Sequence, residues 1–155
     1  MKPLTDELYK KLIKVSTEVK QDFRRKGLVI PVENKDGSIT LDNFTITKDS
    51  DGFYAIVNRS GDAIVDQINL PHTAILLANG LALGKFLDDA LLKEDQNYGY
   101  ALFDEMVHER AVRLSKKKSL EHFEVMMGKC TVARAKKEQC RTTINKSFEK
   151  LRKLV

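Results

Sequence analysis

Short segments with alternating apolar residues follow one another between residues 28 and 68, and turn-forming residues separate each segment from the next. An apolar residue at every second position is typical of a strand with one buried face. The turn residues Gly, Asp and Asn supply the backbone angles and side-chain hydrogen bonds of tight hairpins. Short links favour antiparallel pairing, so the pattern predicts a meander of four or five strands: Leu28–Val32, Ser38–Leu41, Phe44–Thr47, Phe53–Val57 and Ala63–Ile68.

Helical spacing of apolar residues flanks this meander on both sides. Apolar residues recur every three or four positions from Leu4 to Lys26, which predicts an N-terminal amphipathic helix over this range, with Gly27 just past its end. The chain is long enough to form one hydrophobic core that needs no disulfide or metal ion for stability. We therefore predict a single α+β domain over residues 1–155. Three helices are predicted after the meander: about Leu70–Leu92, about Tyr98–Leu114 after a turn at Asp95–Asn97, and about Ser119–Leu154 after the lysines at 116–118.

The most apolar segment of the chain is Ile68–Lys85. It is too polar for a membrane span of about 20 apolar residues, since Pro71, His72 and Asn79 interrupt it. Its two glycines lack the spacing of a phosphate-binding loop. Apolar residues around most of its circumference instead predict a buried central helix that begins near Asn69 and Pro71. A buried Asn79 then needs a hydrogen-bonding partner.

No catalytic or metal-binding motif is complete. Glu105 and His108 share a helix face, as in di-metal helix bundles, but the second Glu-x-x-His step is missing. We therefore predict a solvated polar face with a salt bridge there. The segment Asp49–Gly52 departs from the calcium-loop pattern and predicts a hairpin turn. No Ser or Cys stands in a recognisable triad pattern, so we predict no catalytic residues, no metal and no cofactor.

Two cysteines, Cys130 and Cys140, lie in the last predicted helix. Ten residues of helix separate them by about 15 Å, which is too far for a disulfide. We predict reduced, buried thiols, as expected in the cytoplasm. The N-terminus lacks the apolar segment of a signal peptide, which also favours a cytoplasmic location.

Positive charge is concentrated at the C-terminus. Residues 116–155 hold twelve lysines and arginines against four glutamates, a net charge of +8, whereas residues 1–115 hold fifteen against eighteen. The last helix is therefore predicted to be basic. Lys137 lies among the apolar residues on one side of this helix, which argues against a continuous apolar interface with a partner helix. Candidate phosphate contacts are Lys129, Arg134, Lys136, Lys137 and Arg141. A solvated face, or a contact with an acidic surface of a partner or of the chain itself, is the alternative interpretation.

Two segments, Asp51–Asn58 and Ile68–Lys85, resemble segments of small uncharacterised proteins of marine tailed phages. The resemblance covers about a sixth of the chain and includes no catalytic motif. It implies an accessory or structural role in the cytoplasm of an infected host or in the virion. No residue function is carried over from it.

These observations predict a non-enzymatic interaction or assembly protein that forms a homo-oligomer through helical surfaces. The alternative hypothesis is a nucleic-acid-binding accessory factor that uses the basic C-terminal helix. Neither hypothesis involves a membrane.

Overall fold

The computed structural model describes residues 17–115 and 120–154. There, helix α1 (Thr17–Lys26) precedes a five-stranded antiparallel sheet, and three helices follow: α2 (Pro71–Ala82), α3 (Asp89–Ser115) and α4 (Leu120–Arg152). The predicted α+β class and antiparallel sheet are confirmed. Residues 4–16 of the predicted N-terminal helix, and the lysines at 116–118, lie outside the described residues.

Each strand of the sheet pairs with its neighbours in the sequence. The order is β1 (Val32–Glu33), β2 (Ile39–Leu41), β3 (Phe44–Lys48), β4 (Tyr54–Val57) and β5 (Ala63–Ile68). The predicted hairpin turn at Asp49–Gly52 is confirmed, because Asp49 Oδ1 accepts hydrogen bonds from the backbone N–H groups of Asp51 and Phe53.

The first strand is displaced from its predicted position at Leu28–Val32. Leu28, Val29 and Ile30 are buried, but strand pairing begins only at Val32. Pro31 stands immediately before the paired residues and has no N–H group to donate to a neighbouring strand. Apolar character at 28–30 therefore reflects burial of a connection, not membership of the sheet.

One face of the sheet packs against α2 and forms the main core. Buried side chains on this face include Ile39, Ile46 and Ile56, and α2 contributes Ile75 and Leu77. Burial on several sides of α2 confirms the prediction of a central helix. Among the described residues, no helix is long and apolar enough to cross a membrane.

Asn79 joins α2 to the connection between α1 and the sheet. Its side-chain oxygen accepts a hydrogen bond from the backbone N–H of Val29 at 2.8 Å, and its side-chain nitrogen donates one to the carbonyl of Gly27 at 2.9 Å. The predicted need for a partner is thus met twice. These bonds hold the buried residues 28–30 against α2.

The predicted boundary between the second and third helices is wrong. Helix α2 ends at Ala82, and α3 begins at Asp89, so Asp95–Asn97 are helical. Gly84 has φ +80° and ends α2, where the N–H of Lys85 bonds to the carbonyl of Gly80. Asp88 then starts α3, because its Oδ1 accepts the N–H of Leu91 at 3.1 Å.

Asp95, the residue misassigned to a turn, anchors the start of α2 from the neighbouring helix. Its carboxylate is fully buried and accepts hydrogen bonds from the backbone N–H groups of Asn69 at 2.7 Å and Leu70 at 2.9 Å, and from Thr73 Oγ1 at 2.9 Å. Leu70 is the N-cap residue of α2 and makes no side-chain capping bond, so Asp95 of α3 supplies the acceptor for the polar groups around this helix start. A Cβ atom at Gly99 would stand 2.5 Å from Asn69 Nδ2, so glycine permits this close approach.

Helices α3 and α4 form a long hairpin whose seam is separate from the main core. Near the C-terminus of α4, Phe148 and Leu151 join the main core. Further along the hairpin, Ala101 and Val112 of α3 and Cys130 and Ala133 of α4 are buried. Gly128 lies within α4 and does not interrupt it. Both cysteines are free and buried, as predicted.

Candidate functional site

The five predicted phosphate-binding residues lie on α4, but they do not form one surface. Arg134 and Lys137 contact Glu105 of α3, and Arg141 lies 5.8 Å from the centre of the Tyr98 ring. Lys129 and Lys136 instead line a groove on another side of the hairpin.

Glu105, Arg134 and Lys137 form an ionic cluster between α3 and α4, which we call the Glu105 cluster. Arg134 Nε donates to Glu105 Oε1 at 3.1 Å, and Lys137 Nζ lies 2.7 Å from Oε2. The Lys137 side chain is only 15% exposed. The predicted salt bridge at Glu105 is present, but the prediction that this face is solvated is wrong, because the carboxylate is buried and pairs with two cations. As predicted, Lys137 interrupts the apolar side of α4, because it pairs with Glu105 there.

The Glu105 cluster holds its carboxylate in the ionised form. The hydrogen bond from Lys137, followed by that from Arg134, lowers the pKa of Glu105 below its ordinary value of 4.5. A lowered folded-state pKa stabilises the fold above the unfolded pKa, and this stabilisation is lost as the pH falls through the folded pKa. The cluster thus contributes to stability at neutral pH and loses its contribution in acid.

Glu105→Gln should lower the free energy of unfolding at pH 7 by about 2 kcal/mol, because Lys137 loses its counter-charge in a largely buried position. Urea unfolding followed by circular dichroism measures this cost at pH 7 and at about pH 3. The gap between the wild-type protein and the variant should narrow in acid. Glu109→Gln is the matched control, since it breaks only an exposed pair with Arg113 and should cost less than about 0.5 kcal/mol. Equal costs for the two variants would contradict this role of Glu105.

Lys129 and Lys136 line a groove of about 410 Å³ together with Asp104 and His108 of α3. The Nδ1 atom of His108 is buried and has no hydrogen-bond partner among the described residues. Asp104 places a negative charge in the same groove. The Glu-x-x-His pair is thus divided, with Glu105 in the ionic cluster and His108 in this groove. Within the described ranges, no three His, Cys, Asp or Glu side chains group as a metal site would require.

A second apolar face of α3 points into solvent. We call it the outer α3 face; at about 100° per residue its members fall within an arc of about 120°. Arg110 lies in the same arc. The members and their exposed fractions are Tyr100 (71%), Phe103 (65%), Met106 (61%), Val107 (47%) and Leu114 (61%). Exposed apolar surface of this extent on one helix face is characteristic of an interaction site.

A groove of about 340 Å³ borders the outer α3 face. Phe103 and Met106 form one wall, and Phe53, from the turn between β3 and β4, lies across from them. Leu70 and Leu102 also line this groove. The outer α3 face is therefore not a simple ridge, because a partner helix can bury side chains in the adjoining depression.

Sequence reasoning missed the outer α3 face, although its spacing is visible in the sequence. Tyr100, Phe103, Val107 and Leu114 follow the three-and-four spacing of an amphipathic helix, with Arg110 between the last two. The buried face follows the same spacing, so periodicity alone does not distinguish the two. Comparison of the chain with family models, with curated proteins and with solved structures gave no significant match.

Proposed function

We propose that this protein is a non-enzymatic interaction or assembly module that forms a homodimer through the outer α3 face. The observation that carries the proposal is the row of five exposed apolar side chains on one helix face. Water contact with this surface is unfavourable, and a second copy removes it. Dimerisation through a helix of the hairpin leaves the sheet and α2 unchanged.

The sequence of the outer α3 face is self-complementary in an antiparallel arrangement. If two copies of α3 cross near residue 105, Tyr100 faces Arg110 of the second copy, and Phe103 faces its Val107. The first pairing places a guanidinium on an aromatic ring, and two-fold symmetry makes each pairing occur twice. A parallel arrangement instead places the two Arg110 side chains together, where their charges repel. Charge and shape therefore favour an antiparallel second copy as the occupant.

The area of the outer α3 face is sufficient for a dimer of moderate strength. Complete covering of its five side chains removes about 600 Å² of surface from each copy, or about 1,200 Å² from the pair. This total lies at the lower end of stable interfaces and above most crystal-packing contacts. Partial filling of the groove beside Phe53 adds to it.

Spin labels on α3 test both the dimer and its direction. In the antiparallel arrangement, position 113 faces position 97 of the second copy, so an Arg113→Cys label lies about 25 Å from its mate. A parallel pair brings these labels to about 10 Å. The chain without this substitution, labelled in the same way, controls for reaction at Cys130 and Cys140, which are buried. A missing inter-copy distance, or one near the parallel value, contradicts the proposal.

The nucleic-acid hypothesis remains a prediction, and fewer basic residues support it than the sequence indicated. Arg134 and Lys137 neutralise Glu105, so their charges are partly compensated within the chain. Lys129 and Lys136 remain together on one side of α4, in the groove that also contains Asp104. Arg141 lies against the Tyr98 ring and near Glu138, and the two remaining lysines support weaker phosphate binding than all five residues together. The phage resemblance likewise remains a prediction.

A further inference from the structure

A cleft of about 760 Å³ lies on the part of the molecule where the C-terminal ends of α1, α2 and α4 meet the start of α3. Its volume falls in the range of small-molecule binding sites. No residue of the outer α3 face lines it. A ligand in this cleft therefore does not compete with the proposed dimer interface.

Most of the inner surface of the cleft is apolar. Leucines from three helices and from the C-terminal segment line it: Leu76, Leu77, Leu91, Leu151 and Leu154. Leu77 and Leu151 are also part of the main core, so this surface is continuous with it. A hydrocarbon chain can be buried on it without a polar partner.

Gly80 keeps part of the cleft open. It lies within α2 and lines the cleft, and a Cβ atom built at this position meets nothing within 4 Å. Glycine destabilises the interior of a helix relative to alanine. Neither a left-handed backbone nor a close neighbouring atom requires glycine here. The missing side chain thus leaves empty space that faces the cleft.

Positive charge lines the opening of the cleft. Lys26, Lys85 and Lys150 belong to its lining, and no ion pair connects them to a carboxylate within the described part of the chain. Two acidic residues, Asp88 and Glu94, also belong to the lining, so its lysines exceed its carboxylates by one. Asp88 Oδ1 caps α3 by accepting the backbone N–H of Leu91. An anionic group is therefore the charge that this opening complements.

Phe86 stands at the edge of the cleft with 98% of its surface exposed. It belongs to the connection between α2 and α3, which turns at Gly84. A fully solvated aromatic ring gains free energy when an apolar chain covers it. Phe86 is positioned to contact the part of a ligand that emerges from the cleft.

We propose that this cleft binds a single-chain amphipathic anion of the fatty carboxylate class. The hydrocarbon chain lies on the leucine surface beside Gly80, and the carboxylate lies among Lys26, Lys85 and Lys150. Phe86 covers the exposed side of the chain. The assignment depends on the match between an apolar interior and a cationic opening, and it is independent of the dimer.

Calorimetric titration with dodecanoate below its micellar concentration tests the proposal. Saturable binding of one dodecanoate per chain is expected. Dodecyltrimethylammonium has the same chain and the opposite charge, and it should bind at least about tenfold more weakly. Lack of saturable dodecanoate binding, or equal binding of the cation, overturns the proposal.

Gly80→Leu locates the ligand within the molecule. The new side chain occupies the cleft and should weaken dodecanoate binding at least about tenfold, while a leucine in a helix keeps the melting temperature unchanged or raises it. Gly128→Leu is the matched control, because Gly128 is also helical and open but lies in the groove beside Lys129. It should bind dodecanoate as the wild-type protein does.

Lys85→Gln combined with Lys150→Gln removes charge from the exposed rim without filling the cleft. This double variant should bind dodecanoate several-fold more weakly and should lose most of the preference over the cationic detergent. Wild-type affinity in both this variant and Gly80→Leu overturns the assignment to this cleft. The double variant also decides the question if Gly80→Leu proves to be unfolded.

Discussion

Asp95→Ala should reduce the free energy of unfolding by about 4 kcal/mol, because two partly buried backbone N–H groups and one buried hydroxyl lose the carboxylate that accepts their hydrogen bonds. The backbone N–H groups of Asn69 and Leu70 and the hydroxyl of Thr73 all bond to this carboxylate, which is fully buried. An N-terminal helix end also favours a negative charge, and alanine removes it. For a domain with a free energy of unfolding of about 5 kcal/mol, this loss leaves about 1 kcal/mol and therefore a substantial unfolded fraction.

Urea unfolding followed by circular dichroism measures the effect of Asp95→Ala. Asp89→Ala is the matched control, since Asp89 is an exposed aspartate in the first turn of α3 and should cost less than about 1 kcal/mol. A loss of less than about 1 kcal/mol in Asp95→Ala would show that the start of α2 does not depend on this carboxylate.

Phe103→Asp should dissociate the dimer with little effect on the fold. The phenylalanine is mostly exposed in the single chain, so its loss does not disturb the main core. In the dimer, two buried rings are lost and two carboxylates are placed in an apolar interface. The dissociation constant should therefore rise at least about 100-fold, measured by sedimentation, while the melting temperature changes little.

Val132→Asp is the control for Phe103→Asp, because Val132 is a half-exposed apolar residue on α4, in the groove beside Lys129. It introduces the same charge on the same hairpin and should leave the dimer intact. Dissociation by Val132→Asp but not by Phe103→Asp would place the interface on α4 and contradict the assignment to α3.

The sequence predicts the sheet well because the signals for strands and hairpin turns come from neighbouring residues. Alternating burial and turn residues such as Asp49 and Gly52 act over a few positions, and the structure follows them. The error at residues 28–30 has a tertiary cause. These residues are apolar because they are buried in the main core. The N–H of Val29 bonds to Asn79 of α2, which lies fifty residues further along the sequence.

Asp95 shows why the helix boundary was predicted wrongly. A polar residue between apolar segments suggests a turn, whereas this carboxylate satisfies the start of another helix. The local signals of the true boundary, Gly84 and Asp88, are present in the sequence. They were outweighed by the continuous apolar pattern through Leu92.

Periodicity of the apolar residues does not show which face of α3 is buried and which face forms the candidate site. Both faces of α3 have apolar residues at helical spacing, and both contain charged residues: Asp95 and Glu105 are buried, whereas Arg110 lies on the exposed face. The outer face has the larger apolar side chains, so the sequence alone favours it, wrongly, as the buried face. The buried face is selected because Arg134 and Lys137 of α4 neutralise Glu105. That pairing also explains why two of the five predicted phosphate contacts face the chain itself.

Sedimentation velocity of the unaltered protein across a concentration series tests the central claim most directly. The outer α3 face predicts a dimer at micromolar and higher concentrations that dissociates on dilution, as expected for about 1,200 Å² of buried surface. A single monomeric species at every concentration, up to about 100 µM, would contradict the claim that this face binds a second copy.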